Sequence, residues 1–187
     1  LGTVVMAASS AAYNIEIFTY DILNSFSQAC TTFVGQNFGA GKMKRCKKTL
    51  FLCLAEGILT LACAVSLLLF FGKYLLAFFN RDPEVVETGY IRLMMVMLSH
   101  TFSLFYEVMA GYLRGFGIST LPAVLTMIGV CGIRIAWIQL IFPQYQTFRS
   151  IMTAYPISLS ATALMIFIAV LVCHPALRHQ KILEEKA

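Results

Sequence analysis

Long apolar runs separated by short polar breaks dominate this 187-residue chain. A helix needs about 20 mostly apolar residues to cross a bilayer. Four runs meet that length plainly, and a more polar run at the start of the chain is also compatible with a helix. The pattern therefore predicts an all-α, polytopic transmembrane bundle of about five spanning helices. The predicted spans are residues 3–38, 49–72, 90–113, 121–142 and 151–173, followed by a tail at 174–187.

Basic residues are distributed unevenly between the loops of this predicted bundle. The first loop carries five of them between Lys42 and Lys48, the third loop carries Arg114, and the tail carries three more. Because cytoplasmic loops are enriched in Lys and Arg, we expect the first loop, the third loop and the C-terminus to be cytoplasmic. Five spans then leave the first residue outside the cell. Because a chain does not easily begin there without a signal peptide, we expect an upstream half of the protein.

Composition narrows the functional classes. Hydrophobic residues make up 59% of the chain and charged residues only 12%, about half the charged fraction of a soluble domain. The net charge of +5 comes from basic residues beside apolar spans, without the aromatic and basic pattern of a nucleic-acid-binding module. We expect contacts with membrane lipid and no nucleic-acid partner. The six cysteines form no C-x-x-C motif, so we also expect no metal site and no cofactor.

Polar side chains in the first span recur on one face. Asn14, Asp21, Asn24 and Gln28 lie at i, i+7, i+10 and i+14, which is one stripe of a helix. One interpretation is a helix that faces a water-filled cavity. The alternative is a helix packed against its neighbours through polar contacts and small residues. We favour the cavity because Asp21 has no basic partner within its own span.

The third span carries a second polar face, which contains His100, Ser103, Tyr106 and Glu107. A histidine and a carboxylate within the membrane have the chemistry to carry protons or coordinate a cation. A buried hydrogen-bond network of these side chains is an equal alternative. In the fourth span, Arg134 is expected to form a structural ion pair with a carboxylate on a neighbouring helix. Direct contact between Arg134 and an anionic ligand is the second possibility.

A glycine-rich segment at residues 35–42 superficially suggests a phosphate-binding loop. Counted back from Gly41 and Lys42, the first glycine of G-x-x-x-x-G-K-[ST] falls on Gln36, and Met43 replaces the serine or threonine. A helix also precedes the segment, where a phosphate-binding loop follows a strand. The segment is instead typical of a tight turn between helices, in which glycine supplies a positive φ.

Two such turns carry a family resemblance. Residues 36–41, Gln-Asn-Phe-Gly-Ala-Gly, resemble the Q-x-x-G-A-G turn of the multidrug and toxic compound extrusion (MATE) transporters, and residues 111–117 are similar to that family's G-x-L-R-G-x-G turn. Residues 155–158, Tyr-Pro-Ile-Ser, resemble bacterial members. The structural turn residues in these motifs are Gln36, Gly39, Gly41, Arg114, Gly115 and Gly117.

The resemblance implies a twelve-helix protein of two lobes, in which this chain resembles helices 8–12 and lacks the N-terminal lobe. It implies a secondary active transporter, not an enzyme, that exports cationic drugs or metabolites in exchange for Na⁺ or H⁺ by alternating access. The expected location is the plasma (inner) membrane of a bacterium. Asp21 is then the first candidate for an ion- or substrate-binding residue, with cavity lining by Asn14, Asn24 and Gln28. The second candidates are His100, Tyr106 and Glu107.

Other functions are weighed against this one. A lipid-linked-precursor flippase of the same superfamily needs an arginine-lined cavity, for which only Arg134 is available. A structural or assembly subunit predicts that Asp21 and His100 are dispensable for activity. A membrane enzyme needs a convergent catalytic set, which one intramembrane histidine and scattered acids do not supply.

Overall fold

A computed structural model of the protein describes residues 2–173, and these form five long helices joined by short turns. No strand occurs in this range, so the predicted all-α class is confirmed. The predicted cytoplasmic tail at 174–187 lies outside the described residues. The helices are α1 (Thr3–Gly39), α2 (Met43–Phe79), α3 (Pro83–Gly115), α4 (Thr120–Leu140) and α5 (Phe148–Cys173).

The helix boundaries differ from the predicted spans at several ends. The largest difference is in α2, which extends beyond its predicted span at both ends. It begins at Met43 and not at residue 49, and it ends at Phe79 and not at residue 72. A hydropathy window finds only the part of a helix that crosses hydrocarbon, whereas the helical hydrogen bonds continue into the polar turns on either side. Within residues 2–173, four helices are long and apolar enough to span a membrane, namely α2 to α5. Polar residues keep α1 out of that group.

The contact between α1 and α3 organises the bundle. Side-chain hydrogen bonds join the two helices at three levels, and the residue numbers of both partners increase from one level to the next. The helices α1 and α3 therefore run parallel. The second helix runs antiparallel to α1, since Cys46 near its start donates to the Val34 carbonyl and Leu76 near its end packs with Ala12. Three of the bonded α1–α3 pairs, in chain order, are Glu16–Arg92, Ser27–Glu107 and Thr31–Gly111.

The two glycine turns lie side by side at one end of the bundle. The Phe38 and Phe116 rings, one from each turn, meet edge to face with centroids 5.0 Å apart. Gly41 has a φ of 69° and Gly117 a φ of 83°, a left-handed backbone that favours glycine. The turn from α1 to α2 therefore brings its basic residues to the same end of the bundle as Arg114.

The other predicted turn residues have different roles. Gly39 is the last residue of α1, and open space surrounds the position where its Cβ would be, so the turn does not require glycine there. Gly115 is helical, and an added Cβ would lie 2.7 Å from Val34 and 3.0 Å from the Thr31 carbonyl oxygen. Gly115 thus allows α1 and α3 to approach. Gln36 is exposed, and its carbonyl accepts the Ala40 amide at the end of α1.

The fourth helix changes its winding in the middle. It is α-helical at Thr120–Thr126, π-helical at Met127–Gly132 and α-helical again at Ile133–Leu140. Gly129 in the π segment lies directly against Thr162 of α5. Further along, Trp137 Nε1 donates to the Ser150 carbonyl at 2.9 Å. The last two helices therefore form an antiparallel pair, which packs against α3.

Candidate functional site

The polar stripe of α1 lies opposite the face that packs into the bundle. Asn14, Asp21 and Gln28 are exposed and Asn24 is half-buried. The packed face is formed by small and apolar residues such as Ala12 and Leu23, both fully buried. Charged and amide groups are costly in lipid. The stripe therefore belongs against water or against another part of the protein.

A polar cavity of about 510 Å³ opens on this side of the bundle. Two of the predicted stripe residues, Asn24 and Gln28, line it, and Glu107 joins them from α3. Asp21 and Asn14 do not line it, although they share the stripe. The lining residues are Asn24, Gln28, Thr31, Thr32, Glu107 and Arg114.

Glu107 is held by two groups at the edge of this polar cavity. The residue is 9% exposed. Its carboxylate accepts the Tyr20 hydroxyl at 2.9 Å and lies 3.8 Å from Arg114 Nη2. The same Arg114 nitrogen donates to Ser27 Oγ at 2.7 Å. The charge of Glu107 is thus partly balanced by described residues of this chain.

The proposed network of His100, Tyr106 and Glu107 is not present as a unit. Glu107 bonds to Tyr20 of α1 and not to a residue of its own helix face. His100 instead approaches Ser103 Oγ through Nδ1, at 3.4 Å. Positions 100 and 107 are seven residues apart, which is about 10 Å along a helix. The structure consequently places His100 and Glu107 in different cavities.

A second cavity, of about 240 Å³, lies among α1, α3, α4 and α5. It is mixed in character, because four tyrosines surround acidic and basic groups. His100 and Tyr106 are the predicted site residues found here, together with Arg134. Its lining is formed by Tyr13, Glu16, Ile17, Tyr20, Val96, His100, Ser103, Tyr106, Val130, Arg134, Tyr155 and Leu159. We call this the tyrosine cavity.

A buried ion pair beside the tyrosine cavity was missed from the sequence. Arg92 Nε donates to Glu16 Oε1 at 2.9 Å, and Nη2 donates to Oε2 at 3.0 Å. The two side chains are 10% and 7% exposed. The helical period contained a signal for this burial. Glu16 lies on the same face of α1 as Ala12 and Leu23, and that face packs into the bundle.

The structural ion pair expected for Arg134 does not form among residues 2–173. Its Nε donates to the Ser158 hydroxyl at 3.0 Å, and its guanidinium stacks on the Tyr155 ring at 4.3 Å from the centroid. Within residues 2–173, no carboxylate lies within 4 Å of it. The physical reason is competition, since Glu16 is already occupied by Arg92 and Glu107 faces the other cavity.

Comparison with known proteins identifies the family. Residues 1–138, well over half of the chain, match the MatE family model. The chain belongs to the MatE family. The fold agrees, because the chain superposes on the eukaryotic MATE transporter AtDTX14 with a TM-score of 0.75, at 19% identity, over 90% of this chain and 38% of that one. With four helices suited to spanning a bilayer in the described part of the chain, this MatE chain is an integral membrane protein.

Relatives of the MatE chain come from animals and bacteria. It is 31% identical over 130 residues to the multidrug and toxin extrusion protein 1 of Homo sapiens, covering 69% of this chain and 23% of that protein. It is 23% identical over 125 residues to the probable multidrug resistance protein NorM of Chromobacterium violaceum, covering 67% and 27%. The chain spans about a quarter of the length of these relatives.

Proposed function

We propose that this MatE chain forms most of the C-terminal lobe of a secondary active transporter, which exports cationic drugs or metabolites in exchange for Na⁺ or H⁺. Family membership supports transport as the activity. The observation that carries the proposal is the polar stripe on α1, which faces away from the packed side of a helix in a membrane protein. In transporters built from two repeats, the substrate pathway lies between the repeats. The stripe is then one wall of that pathway.

Asp21 is the acid best suited to bind a cation in this pathway. It is exposed on the stripe, and no basic side chain within residues 2–173 lies within 4 Å of its carboxylate. Glu107, by contrast, is partly balanced by Arg114 and bonded by Tyr20. Binding of Na⁺ or H⁺ to Asp21 removes the charge that attracts a cationic solute. Ion and solute then bias the same conformational equilibrium in opposite directions, which couples them.

The second lobe and the membrane complete this proposal. The partner is the N-terminal lobe of the same protein, in line with relatives about four times as long as the matched segment. The basic residues at the glycine-turn end support a cytoplasmic location for that end. The proposed location is the plasma membrane, and the bacterial inner membrane expected from residues 155–158 stays a prediction.

We expect the Asp21→Asn variant of the full-length protein to lose at least about tenfold of its ion-driven transport of a cationic dye, a factor that equals about 1.4 kcal/mol. The amide keeps the size of the side chain but removes the charge that the ion neutralises. Dye uptake into inverted membrane vesicles under an imposed Na⁺ or H⁺ gradient measures this. Glu84→Gln is the matched control, because Glu84 is exposed at the start of α3 and outside both cavities.

Normal uptake by the Asp21→Asn protein at normal membrane abundance would remove Asp21 from the mechanism. If the His100→Gln variant also transported normally, the two results together would favour a structural or assembly subunit.

We also expect that vesicles containing only these 187 residues do not accumulate the dye. The reason is that the α1 stripe forms one wall of the pathway and leaves the opposite wall open. Co-expression of the remaining lobe is expected to restore uptake. Gradient-driven accumulation by the chain alone would contradict the two-lobe proposal.

A further inference from the structure

We propose that the tyrosine cavity binds the carboxylate of a small aromatic organic acid, with Arg134 as its cationic anchor. The site is distinct from the α1 stripe, and it rests on the internal geometry of the lobe and not on the proposed transport. Four features of the cavity carry it: its net charge, the free donors of Arg134, the unpaired nitrogen of His100 and the aromatic lining.

The charge of the cavity is not balanced by the described residues. Glu16 and Arg92 neutralise one another through two short bonds. Arg134 is left with a neutral hydroxyl and an aromatic ring as its partners. An arginine remains protonated in proteins, so the cavity holds one positive charge more than the residues around it compensate. A singly charged anion restores the balance.

The donors of Arg134 match a carboxylate. Guanidinium has five N–H donors, and Ser158 occupies only the one on Nε. Stacking on the Tyr155 ring fixes the plane of the group, while its Nη atoms have no hydrogen-bond acceptor among residues 2–173. Two parallel N–H donors in a fixed plane bind the two oxygens of a carboxylate in a fork-to-fork arrangement.

His100 provides an independent observation. It lines the same cavity and is 7% exposed. Its Nε2 is buried and has no hydrogen-bond partner among the described residues. Buried polar atoms of native proteins almost always have a partner. In the proposed complex a ligand oxygen is this partner, and the side chains that cover Nε2 in the empty cavity move aside to admit it.

The size and lining of the cavity select the rest of the ligand. Its volume of about 240 Å³ lies below the roughly 300–1,000 Å³ typical of sites for drug-sized ligands. Tyr13, Tyr20, Tyr106 and Tyr155 line it, and aromatic rings stack or pack edge to face with one another. A single-ring acid fits both the volume and the lining, and benzoate is the simplest probe.

Protection of Arg134 from chemical modification tests the site in the full-length protein. Membranes are treated with the arginine reagent phenylglyoxal, and mass spectrometry quantifies modification of the peptides that contain Arg134 and Arg149. We expect benzoate to reduce modification of Arg134 at least about fivefold. Benzamide, the uncharged analogue, and sodium chloride at the same concentration are expected to leave it unchanged. Arg149, exposed before the cavity-lining part of α5, is the internal control and is modified equally throughout.

Three results would overturn the proposal. Equal modification of Arg134 with and without benzoate excludes the site. Protection by chloride as strong as that by benzoate shows an anion site without selectivity for an aromatic acid. Resistance of Arg134 to the reagent when no ligand is added shows that the guanidinium is not open to a ligand in the full-length protein.

Direct binding provides the second measurement. Equilibrium dialysis with radiolabelled benzoate is expected to show at least a tenfold weaker affinity for Arg134→Lys, because an ammonium keeps the charge but loses the planar fork. Arg149→Lys is the matched control. Unchanged affinity of Arg134→Lys would contradict the anchoring role. Asp21→Asn is expected to bind benzoate normally, so failure of the transport proposal and failure of this one are distinguishable.

Discussion

Replacing Glu16 with glutamine is expected to lower the free energy of unfolding by about 3–5 kcal/mol, because it leaves the Arg92 guanidinium buried without its counter-charge. The carboxylate accepts two bonds from Arg92, and both side chains are at least nine-tenths buried. Thermal unfolding of the detergent-solubilised protein, followed by far-UV circular dichroism, measures the loss.

An exposed pair in the same chain is the matched control for this effect. Lys73 and Glu87 also form a direct ion pair, but their side chains are 52% and 59% exposed. We expect Glu87→Gln to change stability by only about 0–1 kcal/mol. Adding Arg92→Met to Glu16→Gln is expected to recover most of the loss, since no unpaired charge then remains. If Glu16→Gln and Glu87→Gln lowered the free energy of unfolding equally, burial of the Glu16–Arg92 pair would not contribute to stability.

Gly111→Val is expected to destabilise the protein by about 3 kcal/mol, at the upper end of typical overpacking costs. A Cβ at this position would clash with the Ser27 carbonyl oxygen, and would lie 2.9 Å from Ser27 Oγ and 3.1 Å from Thr31 Oγ1. The obstacle is backbone of α1, which a change of rotamer does not move. The two helices must separate, and the Thr31 bond to the Gly111 carbonyl is then lost.

The control for the Gly111 substitution is Gly39→Ala. Gly39 is helical and has open space at its Cβ position, so we expect this change to be neutral or slightly stabilising. Chemical denaturation of both variants under the same detergent conditions compares them. A Gly111→Val protein as stable as the Gly39→Ala protein would show that α1 and α3 do not depend on close approach at this point.

The helices were predictable from sequence because hydrocarbon imposes a simple length rule. Each predicted span coincides with an observed helix over most of its length, and the turns at Gly41 and Gly117 have the left-handed backbone that their motifs require. Errors lie at the ends, as in α2, where polar residues continue the helix beyond the apolar run. The chain alone also indicated that α1 is more polar than the other helices.

The candidate site was less predictable because it depends on contacts between helices. Helical phase correctly put Asp21, Asn24 and Gln28 on one face. Phase within one helix does not reveal which acid meets which base. Glu16 pairs with Arg92, and neither helix alone indicates that pairing. Glu107 and His100 share a face of α3, yet their separation along the axis assigns them to different cavities.

The π-helical segment of α4 has a consequence for how such a chain diverges. A π turn holds one residue more than an α turn. Compared with a continuous α-helix of the same sequence, the residues after Gly132 are therefore rotated by about 100° around the helix axis. Arg134 is the second residue past that point, and its approach to Tyr155 depends on the rotation. Loss of a single codon within 127–132 would let α4 rewind as a regular α-helix and would leave the guanidinium facing Tyr155, because one residue fewer in α-helical winding turns through about the same angle as the π segment. An α4 of unchanged length that wound as a continuous α-helix would instead turn Arg134 away from Tyr155, so the positive charge of the tyrosine cavity is tied to the extra residue that the π segment accommodates.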